Sequence, residues 1–463
     1  MGVFAKIKDG FVAKFPEDFS HKEGRKNVMY IAMPTFAEVF MLQLSGMVNM
    51  MMVGSLGPWA IAAIGYCNQP RMLIAFLFQA FNTGSTALVA RAKGAKNASE
   101  ANAVMHQAIS FSMSLSVLMA FLGYTFATPM VVFMGAYEEA TITGATQYFQ
   151  IIMLTFPAHA FTLAITAMLR GIGQARISMI YNITANVINV CVGFLFIQGR
   201  FGLPALGVQG AALGLGTGQV VAMIMAIITM ARGADILKLS AKQLFRIDLT
   251  MLRRVARIGS PAMFEQFCLR GGNIMFVRIV ASLGTAAFAT HMIVMNIHQM
   301  TLMNGQSFGV SASSLLGQSL GRKRPDQGKA IVTLCRRYAL FIALGTAFCV
   351  VVFGRHLMRL YTDDPTVIAM GAMIFWLVAL LQPLQSSQQV VAGALRGAGD
   401  TKAVAGAMFV GLVIIRPVVS ATLVLGAGLG LVGVWIAMIA DQGTRSIFTM
   451  WRFINDKWQT IKV

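Results

Sequence analysis

The chain has 463 residues, of which 57% are hydrophobic and 12% are charged, and its formal net charge is +20. Soluble proteins carry about 25% charged residues, so this composition excludes an ordinary soluble domain and indicates a membrane protein with many spans. The segment 1–27 is charged and lacks an apolar run, so we expect no cleavable signal peptide.

Apolar stretches of about 20 residues are long enough to cross a bilayer as helices. The hydropathy of the chain predicts twelve of them. They lie near 28–53, 61–90, 102–127, 146–169, 177–198, 208–231, 258–281, 287–317, 331–353, 367–393, 404–425 and 432–453.

Lysine and arginine residues concentrate on one side of the predicted spans. That side holds most of the lysines and arginines, whereas the loops of the opposite side hold only Arg200, Arg355 and Arg359. Basic loops mark the cytoplasmic side, so both termini are predicted to be cytoplasmic. The excess charge then reflects topology and contact with anionic membrane lipid, and nucleic acid is not an expected partner.

The two halves of the chain resemble each other. One constant offset places Pro34 on Pro261 and Glu38 on Glu265, and LRGIGQAR from residue 169 corresponds to LRGAGDTK from residue 395. We therefore predict an all-α integral membrane protein with twelve transmembrane helices in two six-helix bundles related by pseudo-twofold symmetry. Such parallel repeats are typical of secondary transporters, in which a cleft between the bundles opens to alternate sides.

The predicted organisation has five parts. They are a cytoplasmic amphipathic N-terminal segment (1–27), an N-terminal six-helix bundle (28–232), a basic cytoplasmic linker (233–257), a C-terminal six-helix bundle (258–453) and a cytoplasmic tail (454–463). Residues 1–20 alternate apolar positions at helical spacing with lysines, which indicates either a helix on the inner leaflet or a disordered tail.

The repeated Leu-Arg-Gly turn is expected to end a helix. Gly171 or Gly397 can adopt a positive φ there, and Arg170 or Arg396 can reach the lipid headgroups. The turn serves either as a tight topological connection or as a flexible point for bundle motion.

The sequence contains no recognisable catalytic, nucleotide-binding or metal-binding motif. There is no Walker A loop, no nucleophile paired with a base and no metal-ligand spacing, and the five cysteines are scattered. We expect no enzyme activity, no ATP site, no metal and no cofactor.

The combined motifs resemble the multidrug and toxic compound extrusion (MATE) family over about residues 28–453. The resemblance rests on VGSLG in the first span, SLGTAAFATHMIVMNI from residue 282, GQSLGRKRPDQGKA from residue 317, LRGAGDTK and the Arg416–Pro417 pair. It implies a MATE-like fold in a bacterial-type inner membrane. It also implies a monomer that exports small amphipathic, usually cationic, compounds in exchange for Na⁺ or H⁺.

The chain departs from the family that it resembles at acidic positions. Many members carry an aspartate where this chain has Asn49, some carry another at the position of Gly193, and some carry one at the position of Gln385. These departures put conventional coupling through an acidic site of the N-terminal bundle in doubt.

Three carboxylates lie within predicted spans: Glu38, Glu265 and Asp441. A charge at mid-bilayer costs about 2.5–3.5 kcal/mol on insertion scales, so each needs a reason. Glu265, at a position resembling a glutamate common in the family, can take up a proton, or hold Na⁺ or an organic cation. The alternative is a structural pair with Arg270 or Arg278. Asp441 and Arg445 are spaced as a structural i, i+4 pair.

Polar stripes run along three predicted spans. Glu38, Ser45 and Asn49 share one face of the first span. Similar stripes occur on the fifth and tenth spans, at Asn182, Asn186 and Asn189 and at Gln382, Gln385, Ser386 and Gln389. They either line the cleft or join neighbouring helices. The candidate ion-coupling and substrate-binding residues are Glu265, Glu38, Asn49, Asn186, Asn189, Gln385, Arg270 and Arg278.

Two other transport functions stay open on the same scaffold. Arg71, Arg270, Arg278 and Arg416 are unusual in a cation exporter, and an unpaired arginine in the cleft would favour anionic or zwitterionic metabolites. A large basic cleft would favour a lipid-linked saccharide flippase, although the sequence shows no additional pair of spans to form a lipid groove.

Overall fold

The computed structural model describes residues 15–240, 243 and 248–461, and the ordered elements are almost entirely helical. The predicted amphipathic helix over 1–20 lies mostly outside these residues. Residues 15–20 form a turn, and the first helix begins at His21. The helices of the first half are α1 (His21–Gly54), α2 (Pro58–Gly94), α3 (Ala98–Thr125), α4 (Ala127–Phe133), α5 (Glu139–Gly171), α6 (Ala175–Ile197) and α7 (Val208–Arg232).

The second half repeats this order. Its helices are α8 (Leu249–Ala281), α9 (Thr285–Thr301), α10 (Met303–Gly321), α11 (Pro325–Arg359), α12 (Pro365–Gly397), α13 (Thr401–Gly426) and α14 (Gly430–Ile454). The eighth predicted span, 287–317, is two helices that meet at Leu302. Helix α13 contains two π-helical stretches, Phe409–Ile415 and Thr422–Gly426, on either side of a short α-helical turn.

Nine helices among the described residues are long and apolar enough to cross a membrane. The remaining predicted spans correspond to α8, to α9 with α10, and to α14. Helices α8 and α14 contain ionisable residues such as Glu265, Asp441 and Arg445, and these lower the mean hydropathy of the two helices.

The backbone itself repeats between the halves. Lys96 and Lys323, which occupy equivalent positions of the repeat, both adopt a left-handed conformation with φ of 56° and 59°. Gly57 and Gly284, at the same offset, have φ of 111° and 92°. Equivalent sequences therefore form equivalent turns after the first and second predicted spans of each copy.

The Leu-Arg-Gly turns differ from the prediction in one detail. Gly171 and Gly397 are the last helical residues, and the positive φ occurs two positions later, at Gly173 (85°) and Gly399 (89°). Gly171 is needed for packing instead, because a Cβ there would lie 3.0 Å from the Thr86 carbonyl oxygen. The second glycine of each motif is thus the one that reverses the chain.

The chain forms two compact units, each with its own apolar core. The N-unit is residues 37–256, and the C-unit combines residues 15–36 with residues 257–461. Residues 28–36 of the predicted N-terminal bundle lie in the C-unit, and residues 233–256 of the predicted linker belong to the N-unit. Within the C-unit, the Ser311 hydroxyl donates to the Val28 carbonyl at 3.1 Å, which joins the beginning of α1 to α10.

The residues before α1 are anchored at α11 of the C-unit and at Arg324, the residue that precedes this helix. Asp18 forms an ion pair with Arg324 at 2.7 Å, and the Arg337 guanidinium lies 5.2 Å from the centre of the Phe15 ring. Hydrogen bonds to Asp326 and to Asp18 raise the pKa of Arg324 above its ordinary value.

The basic linker is docked on the N-unit by the beginning of α3. The Asn102 amide donates to the Ile236 carbonyl and accepts from the Lys238 N–H, at 2.8 and 2.7 Å. His106 Nε2 accepts from the Ser240 N–H at 2.9 Å, and Glu100 pairs with Arg254 at 2.9 Å. One face of α3 therefore binds the backbone of the linker as well as a basic side chain.

Replacing Asn102 with Ala is expected to loosen this linker. The variant loses two hydrogen bonds to the linker backbone, each worth about 1 kcal/mol, so the undocked state should become roughly 30-fold more populated. Limited trypsin digestion of the purified protein measures this as faster cleavage after Lys238. Ser99→Ala, an exposed substitution in the same turn region, is the control. Equal cleavage rates for both variants would show that Asn102 does not hold the linker.

Candidate functional site

In the N-unit, Glu38 of α1 is 7% exposed and lies among polar groups from two other helices. Its Oε1 accepts from Arg170 Nη2 of α5 and from Asn182 Nδ2 of α6, both at 2.7 Å. Asn182 also donates to the Thr166 hydroxyl at 3.3 Å. The carboxylate therefore joins three helices of one unit through charge-assisted hydrogen bonds.

In the C-unit, Glu265 of α8 is 2% exposed and is bound by Arg396 at the end of α12. Arg396 Nη2 donates to Oε1 at 2.5 Å and Nε donates to Oε2 at 3.2 Å. This two-point geometry matches the planar guanidinium to the planar carboxylate.

The two pairs are equivalent in the repeat, because Glu38 corresponds to Glu265 and Arg170 to Arg396. Arg170 and Arg396 were expected to reach the headgroups, but both are ion-paired instead. The ion pair of Glu265 is with Arg396 rather than with the predicted alternatives. Arg270 lies half-buried further along α8, and Arg278 is exposed near the end of that helix.

The polar stripe of α1 meets the stripe of α6 inside the N-unit. Asn189 Nδ2 donates to the Ser45 hydroxyl at 3.5 Å, and Asn49 Oδ1 lies 3.8 Å from where a Cβ of Gly193 would be. Asn186 donates to the Asn182 carbonyl at 2.8 Å. Asn49 and Gly193, two positions at which the family resemblance leads us to expect aspartates, are thus adjacent in the N-unit.

Asn189 keeps one polar atom without a partner. Its Oδ1 is buried and accepts no hydrogen bond among the described residues. The close approach of α7 contributes to this, because a Cβ at Gly214 would lie 3.1 Å from that oxygen. A buried carbonyl oxygen without a donor is an available acceptor for a proton donor or a small cation.

The stripe of α12 faces α10 and α11 in the C-unit. Thr346 donates to Gln382 Oε1 at 2.6 Å, and Ser386 donates to Asn304 at 3.3 Å. The Gln385 side chain is half-buried and lies within hydrogen-bonding reach of His298. Gln385, Gln382, Ser386 and Asn304 line a cavity of about 10 Å³, which is the size of a single water site.

Arg416 forms an ion pair with Asp441 of the predicted Asp441–Arg445 pair, and the sequence did not predict this contact. Asp441 Oδ2 accepts from Arg416 Nη2 and from Arg445 Nη2, both at 2.6 Å, and Asp441 is fully buried. Arg416 also donates to Asn273 Oδ1 at 3.2 Å and lies over the ring of Phe276. The only signals were Arg416 in one span and a pair in another, with nothing to show that they meet.

The π-helical backbone of α13 makes room for this cluster. Gly411 lies in the first π-helical stretch, and a Cβ at this position would collide with Asp441 Oδ1. π-Helical turns are rare and often occur at functional sites. The cluster of Arg416, Asp441 and Arg445 carries one net positive charge in the interior of the C-unit.

Arg71 of α2 has a different environment. Its Nη2 donates to the Asn68 side-chain oxygen at 3.2 Å, and its Nε is buried without an acceptor. His159 of α5, which hydrogen-bonds Gln219 at 3.1 Å, lies within electrostatic reach of the Arg71 charge. Among the described residues no ion pair includes Arg71, and no cluster of three His, Cys, Asp or Glu side chains could hold a metal ion.

The duplicated bundle of long apolar helices, with an equivalent buried carboxylate–arginine pair in each copy, matches the architecture of a two-repeat membrane transporter. A sequence model of the MatE family matches the chain twice, over residues 34–195 and 261–422. These matches cover more than half of the chain, which belongs to the MatE family. They begin at the two equivalent prolines, Pro34 and Pro261, in agreement with the repeat found in the sequence.

Relatives of similar length support this assignment. The uncharacterized transporter YisQ of Bacillus subtilis is 26% identical over 425 residues, which cover 92% of this chain and 93% of the relative. The probable multidrug resistance protein NorM of Thermotoga maritima is 26% identical over 438 residues, which cover 94% of each chain.

Solved structures share the fold. A structure described as the outward-facing conformation of a multidrug resistance MATE family transporter has a TM-score of 0.86, with 18% identity and coverage of 93% of this chain and 95% of that chain. A transporter of the MOP superfamily from Pyrococcus furiosus, described as having a binding pocket of reverse polarity, also has a TM-score of 0.86, with 18% identity and coverage of 94% and 96%. The predicted fold of twelve membrane helices in two bundles is confirmed.

Proposed function

We propose that the protein is a secondary active exporter that exchanges small amphipathic organic compounds for H⁺ or Na⁺. The observation that carries the proposal is the repeated carboxylate–arginine pair, Glu38 with Arg170 and Glu265 with Arg396, at the same place in each copy. Its membership of the MatE family and the multidrug resistance relatives support export of varied compounds.

Exchange requires one group that binds either the coupling ion or the substrate at a given time. A buried carboxylate meets this requirement, because a proton, Na⁺ or an organic cation each neutralises it. In this protein any such cation must first compete with Arg170 or Arg396. A motion that separates a glutamate from its arginine would therefore be the step that makes the carboxylate available, in a rocking-bundle cycle of alternating access.

The amides at Asn49, Asn186, Asn189 and Gln385 have a different role in this proposal. They carry no charge, so they cannot take up the coupling ion by neutralisation, but they can orient a substrate or coordinate Na⁺ through their oxygens. We propose that coupling rests on Glu265 and Glu38. The protein would act as a monomer in a bacterial inner membrane, with both termini in the cytoplasm.

Efflux from reconstituted vesicles under separate ion gradients tests the proposal. Vesicles loaded with a panel of fluorescent organic cations should release them faster when either a Na⁺ or an H⁺ gradient is imposed. Arg355→Gln, at an exposed site remote in sequence from the glutamates, is expected to behave like the unaltered protein. Release that responds to neither gradient would contradict antiport.

A second class of substrate is favoured by a specific observation. All three carboxylates predicted within spans are occupied by arginines, and further arginines are present in both units. This excess of positive charge favours anionic or zwitterionic compounds as substrates, since an interior positive charge attracts an anion and repels a cation.

A further inference from the structure

Arg71 is an intramembrane arginine held by a neutral partner alone. Helix α2 begins at Pro58, and Arg71 is about 20 Å along the helix from that end at roughly 1.5 Å per residue. A guanidinium at such a depth is costly unless an anion or a polar network balances it.

Four other arginines within the spans have a carboxylate that balances their charge. Arg170, Arg396, Arg416 and Arg445 each donate to a carboxylate at 2.5–2.7 Å. Arg71 donates to the Asn68 side-chain oxygen at 3.2 Å, and its buried Nε finds no acceptor among the described residues. The negative charge that accompanies those four arginines is missing at Arg71.

Among the described residues, Arg71 has polar neighbours and no ion pair with a carboxylate. Its charge acts on the Cys67 thiol, the Tyr148 phenol and the His159 imidazole, which belong to α2 and α5. The Cys67 thiol is committed to the Ala145 carbonyl at 3.2 Å, and His159 is hydrogen-bonded to Gln219. The site is therefore a half-buried guanidinium whose described surroundings leave its charge unbalanced.

We propose that Arg71 binds the oxyanion of a transported compound, so that the substrates include amphipathic carboxylates and zwitterions. The planar guanidinium presents parallel N–H donors that suit a carboxylate or a phosphate group. The inference rests on the proposed function, because it assigns a substrate class to the same exporter. Arg71 fixes the anionic end of the compound, and the apolar helix surfaces around it accept the rest.

A pair of dyes isolates the oxyanion. A xanthene dye with a free carboxylate and the ethyl ester of the same dye differ only in that group, so their efflux from vesicles can be compared directly. Arg71→Gln should raise the KM for the free acid by about 10- to 100-fold, the loss expected for a charge-assisted hydrogen bond, and leave the KM of the ester unchanged. Arg71→Lys keeps the positive charge but lacks the two parallel N–H donors of the guanidinium, so its KM for the free acid should be intermediate.

Three outcomes would overturn the proposal: equal effects of Arg71→Gln on both dyes, no effect on either, or the same loss with Arg355→Gln, an exposed arginine of the C-unit. Equilibrium binding of the two dyes to the protein in nanodiscs separates this failure from that of antiport. Binding that depends on Arg71, without gradient-driven exchange, would support the oxyanion site and contradict antiport. Gradient-driven exchange that does not change when Arg71 is replaced would support antiport and contradict the oxyanion site.

A lipid phosphate is the other source of the same chemistry. Nanodiscs made only of phosphatidylcholine and nanodiscs that contain phosphatidylglycerol distinguish the two. A preference for the free acid that is the same in both lipids supports a substrate site. A preference that disappears when phosphatidylglycerol is present would assign Arg71 to lipid and overturn the substrate assignment.

Discussion

Replacing Asp441 with Asn is expected to destabilise the protein by about 3–5 kcal/mol, the cost of removing one partner from a buried ion pair. The loss should be at the upper end, because one carboxylate oxygen serves both Arg416 and Arg445. Both guanidiniums would then remain in the interior without a counter-charge. Thermal unfolding of the detergent-purified protein, followed by the loss of monodisperse material, measures the effect.

Arg445→Met is the matched control for this prediction. It removes the excess positive charge and leaves Arg416 and Asp441 as a neutral pair, while an unbranched apolar side chain takes the place of the arginine stem near Met408, the present neighbour of Arg445. Asp441 keeps Arg416 as its partner in this variant, so no buried charge is left without a counter-charge, and we expect little loss of stability. A destabilisation equal to that of Asp441→Asn would show that packing, rather than the charge balance, determines the stability of this cluster.

The fold follows from signals that are local in the sequence. Apolar runs predict the helices, and the constant offset between the halves predicts that equivalent turns repeat, which the shared left-handed conformations of Lys96 and Lys323 confirm. Such signals depend on each residue and its near neighbours, so a single sequence carries them. The sequence did not show which glycine of the turn, Gly171 or Gly173, adopts the positive φ. Gly171 is required by close packing against Thr86, a contact that is distant in sequence.

The partners within the site could not be predicted in the same way. Glu265 and Arg396 are 131 residues apart, and Arg416 lies 25 residues from Asp441 across a helix with two π-helical stretches. A π-helical turn changes which residues share a face, so regular helical spacing misplaces Arg416. Asn182 was placed on a polar stripe of its span, but its bond to Glu38 depends on how α1 and α6 pack.

The two halves of the repeat also differ in a way that composition alone does not reveal. In the N-unit, Glu38 shares its oxygen between Arg170 and Asn182, whereas in the C-unit Arg396 binds both oxygens of Glu265. Glu265 therefore depends on a single partner among the contacts described. Substitutions in the C-unit pair therefore distinguish a structural role from a coupling role more clearly than substitutions in the N-unit pair.

Glu265→Gln is expected to abolish gradient-driven efflux while leaving a folded protein. Its side chain is 3% exposed and that of Arg396 is 29% exposed, so Arg396 can turn towards water when the carboxylate is lost. Arg396→Gln instead leaves a charged carboxylate buried without a partner and should cost about 3–5 kcal/mol. The order of stability by thermal unfolding is therefore the unaltered protein, then Glu265→Gln, then Arg396→Gln.

The double variant Glu265→Gln/Arg396→Gln decides what the pair does. It contains neither charge, so its stability should recover most of the loss seen with Arg396→Gln, because two neutral amides can hydrogen-bond where the ions were. Its efflux should stay absent if the carboxylate carries the coupling ion, since no group remains there to be neutralised. A double variant that regains both stability and gradient-driven efflux would make the pair a structural connection between α8 and α12, and coupling would have to reside elsewhere.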